Sequence, residues 1–220
     1  MKREIIVTKD GSTTIRISEW DECYHSKHGA IQEAYHVFIK NGLDYFIDKP
    51  LSIMEIGFGT GLNAFITFLE SQKRKHTIDY IGIEAYPVII EEAIAMNYAV
   101  TLDAKRFNSI YIQMHDCLWD KQIPFGNFFN FSKREMFFSE ISYKEKFDLI
   151  YFDAFGFRVQ PELWSTEIFK IMFDALKSGG ILVTYAARGV IKRNMIEVGF
   201  TVEKLNGPPG KREMMRAFKR

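Results

Sequence analysis

The chain has 220 residues, 47% hydrophobic and 26% charged, with a formal net charge of +1, which suits one large domain or two very small ones with a core that needs no disulfide staples. The charge balance excludes a protein that coats nucleic acid by bulk charge, and two distant cysteines, Cys23 and Cys117, exclude a disulfide framework or a cysteine-rich zinc site. Apolar runs of only strand length exclude a chain built on membrane-spanning helices, and Met1-Lys-Arg-Glu4 leads into no signal-peptide apolar region, so the expected compartment is the cytoplasm.

Two β-rich runs from Ile5 to Ile17 flank Asp10-Gly11 and predict a hairpin. Ile31, Ala34, Tyr35 and Phe38 then recur at helical spacing between Gly29 and Lys40. From Leu51 the pattern becomes strand and helix in alternation, as in a parallel-sheet α/β protein. Leu51 to Ile56 predicts a buried strand, and Gly57-Phe-Gly-Thr-Gly61 a turn into a helix with Leu62, Phe65, Ile66 and Leu69 on one face. Ile78 to Glu84 is the next strand, and Pro87 is expected to open a helix that carries Ile90, Ala93, Ile94 and Asn97. Phe125 to Ser139 predicts a strand with a preceding loop, and Phe147 to Phe152 a central parallel strand. Pro161 opens a further helix, which Gly179-Gly180 is expected to stop. Ile181 to Tyr185 follows as a strand, Val190 to Val198 as a helix, and Phe200 to Leu205 with Glu213 to Phe218 as an antiparallel pair at the sheet edge.

Chemistry concentrates at three strand ends. Glu55-Ile-Gly57-Phe-Gly59-Thr-Gly61 differs from the G-x-G-x-x-G of a pyrophosphate cradle and has no P-loop lysine. An acid just before the glycines is a poor neighbour for phosphate and a good one for an ammonium, which S-adenosylmethionine carries. Glu84 ends the next strand, where a carboxylate can accept both hydroxyls of a ribose. Asp153 ends the apolar run Leu149 to Phe152, in the crevice where open α/β sheets bind ligands. There it can orient an amine nucleophile and stabilise the charge that grows on nitrogen during methyl transfer. A carboxylate also opposes loss of the amine's proton, so water or Tyr24 is the expected proton carrier.

Thr8-Lys-Asp-Gly-Ser12, Tyr24-His-Ser-Lys-His-Gly-Ala-Ile-Gln-Glu33, Glu55-Ile-Gly-Phe-Gly-Thr-Gly-Leu-Asn63, Tyr151-Phe-Asp-Ala-Phe155, Gln160-Pro-Glu-Leu-Trp164, Thr184-Tyr185 and Gly207-Pro-Pro-Gly-Lys-Arg-Glu-Met214 occur in this order. Together they resemble the MnmC/MnmD family of tRNA-modifying methyltransferases. The resemblance spans about residues 5 to 218. It implies a class I S-adenosylmethionine-dependent methyltransferase fold, Rossmann-like and α/β, with a mostly parallel sheet and an antiparallel last strand. An N-terminal hairpin and helical extension (1–48) would precede the methyltransferase domain (49–220). The implied reaction methylates the exocyclic amine of 5-aminomethyl(-2-thio)uridine at the tRNA wobble position, with no flavin domain and no flavin activity in this chain. Glu55, Gly57, Gly59, Gly61 and Asn63 would line the methionine part of the cofactor and Glu84 its ribose. Asp153 would mark the transfer site, Tyr24 and Glu33 would fold over the cofactor or target base, and the adenine would lie near Met136 and Phe137. One departure is Ala154-Phe-Gly-Phe-Arg158, where the family commonly has Ser or Ala with Pro, which implies a differently shaped loop.

The net charge hides a basic tail, with nine Lys/Arg and three Glu from Ala186 to Arg220. Lys211 and Arg212 in a stiff turn, with Arg188, Lys192 and Arg193 on a short helix, are the expected tRNA phosphate contacts. His25, His28 and His36 match no zinc spacing, so no metal is expected. The rival readings are an aminopropyl- or methyltransferase acting on a small free amine, and a non-catalytic RNA-binding subunit.

Overall fold

The computed structural model describes residues 2–46 and 49–220, and the expected boundary between 48 and 49 abuts residues outside that set. Strands β1 (Arg3–Val7) and β2 (Thr13–Ile17) form the expected antiparallel hairpin, and β3 (Glu22–Cys23) adds a short third strand. Asp10 holds the hairpin tip: one carboxylate oxygen accepts the Thr8 hydroxyl at 2.7 Å and the Ser12 amide at 3.1 Å. Its other oxygen accepts the Gln32 amide at 3.0 Å, tying the tip to helix α1 (Ala30–Ala34), which runs on as one π-helical turn through Lys40. The three histidines diverge: His25 bonds Thr14, His28 lies against Gly210, and His36 bonds the Asn206 carbonyl.

The main sheet is built from β4 (Leu51–Ile56), β5 (Ile78–Glu84), β6 (Ile123–Phe125), β7 (Phe129–Glu135), β8 (Phe147–Phe152), β9 (Leu176–Thr184), β10 (Thr201–Asn206) and β11 (Glu213–Phe218). Their spatial order is β10-β11-β9-β8-β4-β5-β7-β6. The inner five strands are parallel, and both edges are antiparallel, through β10 and β11 on one side and β6 on the other. The apolar strands alternate between two cores, as burial on both faces requires: Leu149 and Tyr151 of β8 face one, Ile150 and Phe152 the other. Helices α2 (Leu62–Arg74), α3 (Ile90–Ile94), α4 (Tyr98–Thr101) and α5 (Asn108–Asp116) lie between the early strands, and α6 (Thr166–Ala175) and α7 (Gly189–Glu197) between the later ones. Helix α2 buries Asn63, Thr67 and Ser71 as well as its apolar face, because the N-terminal segment covers the side away from the sheet.

Two expected helix limits are corrected. Pro87 lies in a loop whose carbonyls at Tyr86 and Pro87 accept from Arg3, and α3 starts only at Ile90. Asn97 then leaves the helical face to bond Thr13 and Gly11 of the hairpin. Gly179-Gly180 does not stop α6, which ends at Ala175; the glycines form a bulge in β9, between the pairs Phe147–Leu176 and Leu149–Ile181. Gly179 has φ +78°, the left-handed backbone such a bulge uses.

Candidate active site

β4 lies between β5 and β8, so the chain crosses over in opposite directions from its carboxyl end. That is the switch point where an open sheet leaves a crevice, and the turn after β4, Glu84 and Asp153 all sit at its rim. Gly57 and Phe58 donate their amides to the Ile83 carbonyl, and Asp153 donates its amide to Ile56. A Cβ on Gly57 (φ +86°) would stand 2.7 Å from the Asp153 carbonyl oxygen, so only glycine lets the two strand ends meet.

The crevice opens into a cleft of about 510 Å³ that Tyr24, Gly57, Gly59, Asn63, Glu84 and Asp153 all line. Six of the nine expected catalytic and cofactor-binding residues are thereby brought together. Glu84 is half-buried and holds the turn itself, accepting the Gly59 amide at 2.9 Å on one oxygen and the Tyr86 amide at 2.9 Å on the other. Each of these oxygens keeps a lone pair for a further donor.

Glu55, Gly61 and Glu33 stand outside the cleft lining. Glu55 is fully buried beneath Asn63, whose side-chain amide nitrogen donates to Glu55 Oε1 and to Asp153 Oδ2, both at 2.9 Å. Burial pushes the Glu55 carboxyl well above its ordinary range, which favours its neutral form. Buried outside the cleft lining, Glu55 does not take the expected place against an ammonium: it braces Asn63, and Asn63 braces Asp153. Gly61 (φ +71°) caps α2, and Glu33 pairs with Lys211 instead of covering the cleft.

Asp153 is half-buried at the cleft floor. Burial, and then the charge of Glu33, raise its carboxyl to about 7, against the opposing pull of Asn63 and Lys211. Such a group changes charge near neutral pH, as a proton-handling residue requires. Tyr24 is pushed up to about 12, chiefly by burial, so it keeps its proton and cannot be the proton acceptor that the sequence suggested.

The aromatic wall of the cleft extends beyond the expected Tyr24 to Trp20 and Phe155, to which the sequence assigns no role. Trp20 and Phe155 pack edge-on at 5.5 Å, and Tyr24 against Phe155 at 5.0 Å. The one signal for it was Phe155, two residues after the strand-ending acid. At the mouth, exposed Phe137 packs on exposed Tyr86 at 6.0 Å, while Met136 turns into the core.

Lys211 departs from expectation too. Its ammonium is drawn inward to Glu33 and lies 3.8 Å from the centre of the Tyr185 ring. Arg188 and Arg212 are exposed and line a second groove with Lys211, Phe157 and Arg158, which shares Tyr185 with the cleft. Arg193 is exposed one turn further along α7, outside that groove.

These groups fit S-adenosylmethionine. The glycine turn gives close backbone approach, Glu84 offers paired acceptors for ribose hydroxyls, and Asn63 Oδ1 is a buried acceptor with no partner among the described residues. Residues 133–220 match a family described as S-adenosyl-L-methionine-dependent methyltransferase. The chain is 30% identical to the tRNA 5-methylaminomethyl-2-thiouridine biosynthesis bifunctional protein MnmC of Leptospira interrogans, over 90% of its own length and 32% of that protein. It is 25% identical to the protein of the same name from Paraburkholderia xenovorans, over 89% of its length and 32% of that protein. It thus spans about a third of the length of these curated relatives. MNMC2 from Aquifex aeolicus superposes with a TM-score of 0.80 at 20% identity, over 100% of this chain and 70% of that one. Spermidine synthase from Thermotoga maritima shares the fold at a TM-score of 0.58 and 14% identity, over 98% of this chain and 68% of that one.

Fold and site together define a class I S-adenosylmethionine-dependent methyltransferase. Its strand order, glycine turn and two rim acids are those of an enzyme whose cofactor is S-adenosylmethionine. Within that class the chain is similar to MnmC proteins over about a third of their length, and it shares the fold of MNMC2.

Proposed function

We propose that this enzyme methylates the exocyclic amine of 5-aminomethyl(-2-thio)uridine at the wobble position of tRNA. The observation that carries the reading is Asp153: a half-buried carboxyl lifted to about 7, held by Asn63 and facing a cleft walled by Trp20, Tyr24 and Phe155. An aromatic wall suits a flat base, and the carboxylate suits the amine that the base carries.

When bound, S-adenosylmethionine supplies an electrophilic methyl group on sulfur. Glu84 and the turn at Gly57 and Gly59 bind and orient that cofactor, with Asn63 supporting its methionine end. Asp153 in its ionised form accepts a hydrogen bond from the acceptor amine and aims its lone pair. With its carboxyl raised, Asp153 is a better proton acceptor than an ordinary carboxylate, so it takes the amine's proton as well as orienting the nitrogen. Most of the acceleration comes from holding the reacting atoms in line in a water-poor site. The N-terminal segment, expected over 1–48, serves as one wall of that site through Trp20 and Tyr24. Arg188, Arg193 and Arg212 supply phosphate contacts beside the cleft, which fix the RNA without reading its sequence.

The test is transfer of labelled methyl from S-adenosylmethionine to tRNA bearing 5-aminomethyluridine, with nucleoside analysis and free diamines as competing acceptors. Label in 5-methylaminomethyluridine is the expected result. Label in the diamines, or in neither acceptor despite tight cofactor binding, would contradict it.

A further inference from the structure

Glu33 and Lys211 come from opposite ends of the chain and meet as an ion pair behind the cleft. Glu33 on α1 is buried and also accepts the Ser26 amide at 3.1 Å. Lys211 stands in the turn between β10 and β11 with its ammonium 3.8 Å from the centre of the Tyr185 ring. Tyr185, at the end of β9, donates its hydroxyl at 2.8 Å to the carbonyl of Ala154, the residue after Asp153. A lysine displayed for phosphate keeps its head in water; this one is two-thirds covered.

The polar groups that bear on Asp153 are few. Asn63 bonds it from α2, while Glu33 of α1 and Lys211 of the β10–β11 turn act on it through charge. Glu55 of β4, Tyr80 of β5 and Tyr185 of β9 feel its charge in return. Glu33 and Lys211 push its proton affinity in opposite directions, Glu33 upward and Lys211 downward.

We propose that Glu33 and Lys211 are positioning residues that act through Asp153, a charge-balanced brace joining the N-terminal segment to the C-terminal hairpin and keeping the carboxylate ready to take a proton from the acceptor amine. The proton passes from the amine nitrogen to an Asp153 oxygen and from there to solvent. The proposal rests on the reading of Asp153 as the group that meets the amine, and it gives Lys211 a role beyond phosphate contact.

The test is a titration of the Asp153 side-chain carboxyl, by carbon NMR of the ligand-free protein, in Glu33→Gln, Lys211→Met and the double variant. Glu33→Gln should lower the midpoint and Lys211→Met raise it, each by roughly half a pH unit or more, with the double variant in between. The acid limb of methyl transfer should move with it. A midpoint that stays put in Glu33→Gln, or moves the same way in both single variants, overturns the brace. Lys211→Met strands a buried carboxylate and is the variant at risk of misfolding. Glu33→Gln leaves only a lysine that can reach water, so it decides the matter alone if necessary. Opposed midpoint shifts without methylation of tRNA would sink the proposed substrate and leave the brace standing. Methylation with unmoved midpoints would do the reverse.

Discussion

Strand β8 carries an aspartate near each end, and the two live in opposite electrostatic worlds. Asp148, near the amino end, is buried, which by itself would raise its carboxyl. Lys177 at 2.8 Å, the Ser52 amide at 3.0 Å and Lys49 at 3.1 Å outweigh that and hold it below the usual carboxylate range. Asp153, just past the carboxyl end, has one amide bonded to it and the Glu33–Lys211 ion pair acting on it through charge, and it is lifted to about 7. The same residue type on the same strand is thus a structural anchor where cations are supplied and a chemical group where they are withheld.

The sharpest way to break this comparison is to neutralise each in turn. Asp153→Asn should cut turnover by roughly 10²- to 10⁴-fold, the usual worth of a positioned proton-transfer group, while calorimetry finds cofactor affinity nearly unchanged. Asp148→Asn should leave turnover within a few-fold of wild type. Equal losses in the two variants would mean that Asp153 also acts by stability.

Thermal unfolding should separate them next, with opposite signs. Asp153 titrates near 7 when folded and near 4 when unfolded, so the native state holds the extra proton in between and loses stability as pH rises through that window. Asp153→Asn should therefore unfold at a higher temperature than wild type at about pH 8, with the gap closing towards about pH 4. Asp148 is depressed, so its contribution is present above the unfolded value and lost as pH falls through the folded one. Asp148→Asn should cost about 1–2 kcal/mol at neutral pH and progressively less in acid.

The smallest contrast concerns glycines at the same two ends of the sheet. Gly59 and Gly179 both have positive φ, but a Cβ on Gly59 would meet the Tyr24 ring at 3.0 Å, whereas one on Gly179 meets nothing within 4 Å. Gly59→Ala should weaken cofactor binding about tenfold or more by displacing Tyr24 and the amide that Glu84 holds. Gly179→Ala should cost only about 1–2 kcal/mol of backbone strain and spare binding.

What could be read from the sequence divides along local and non-local lines. The strands Leu51–Ile56, Ile78–Glu84, Phe147–Phe152 and Glu213–Phe218 are legible to the residue, because each is a short segment rich in apolar residues and bounded by turns. The rim acids Glu84 and Asp153 are legible because strand ends at a switch point are where ligands bind. Glu55 looked like a contact because its place relative to the glycines is local, yet its burial depends on α2 folding Asn63 over it. Lys211 looked exposed because its turn is stiff and polar, and only the arrival of Glu33, 178 positions away, draws it in. Gly179-Gly180 looks the same in sequence as a helix stop or a bulge, and pairing with β8 decides between them.

The most direct test of Asp153 as the proton-taking group is the rate of methyl transfer to aminomethyluridine tRNA under saturating cofactor, measured against pH in wild type and Asp153→Asn. The wild-type profile should break near neutral pH, where the Asp153 carboxyl ionises, and the variant should be slow with no break. A variant that keeps both the wild-type rate and the break would contradict it.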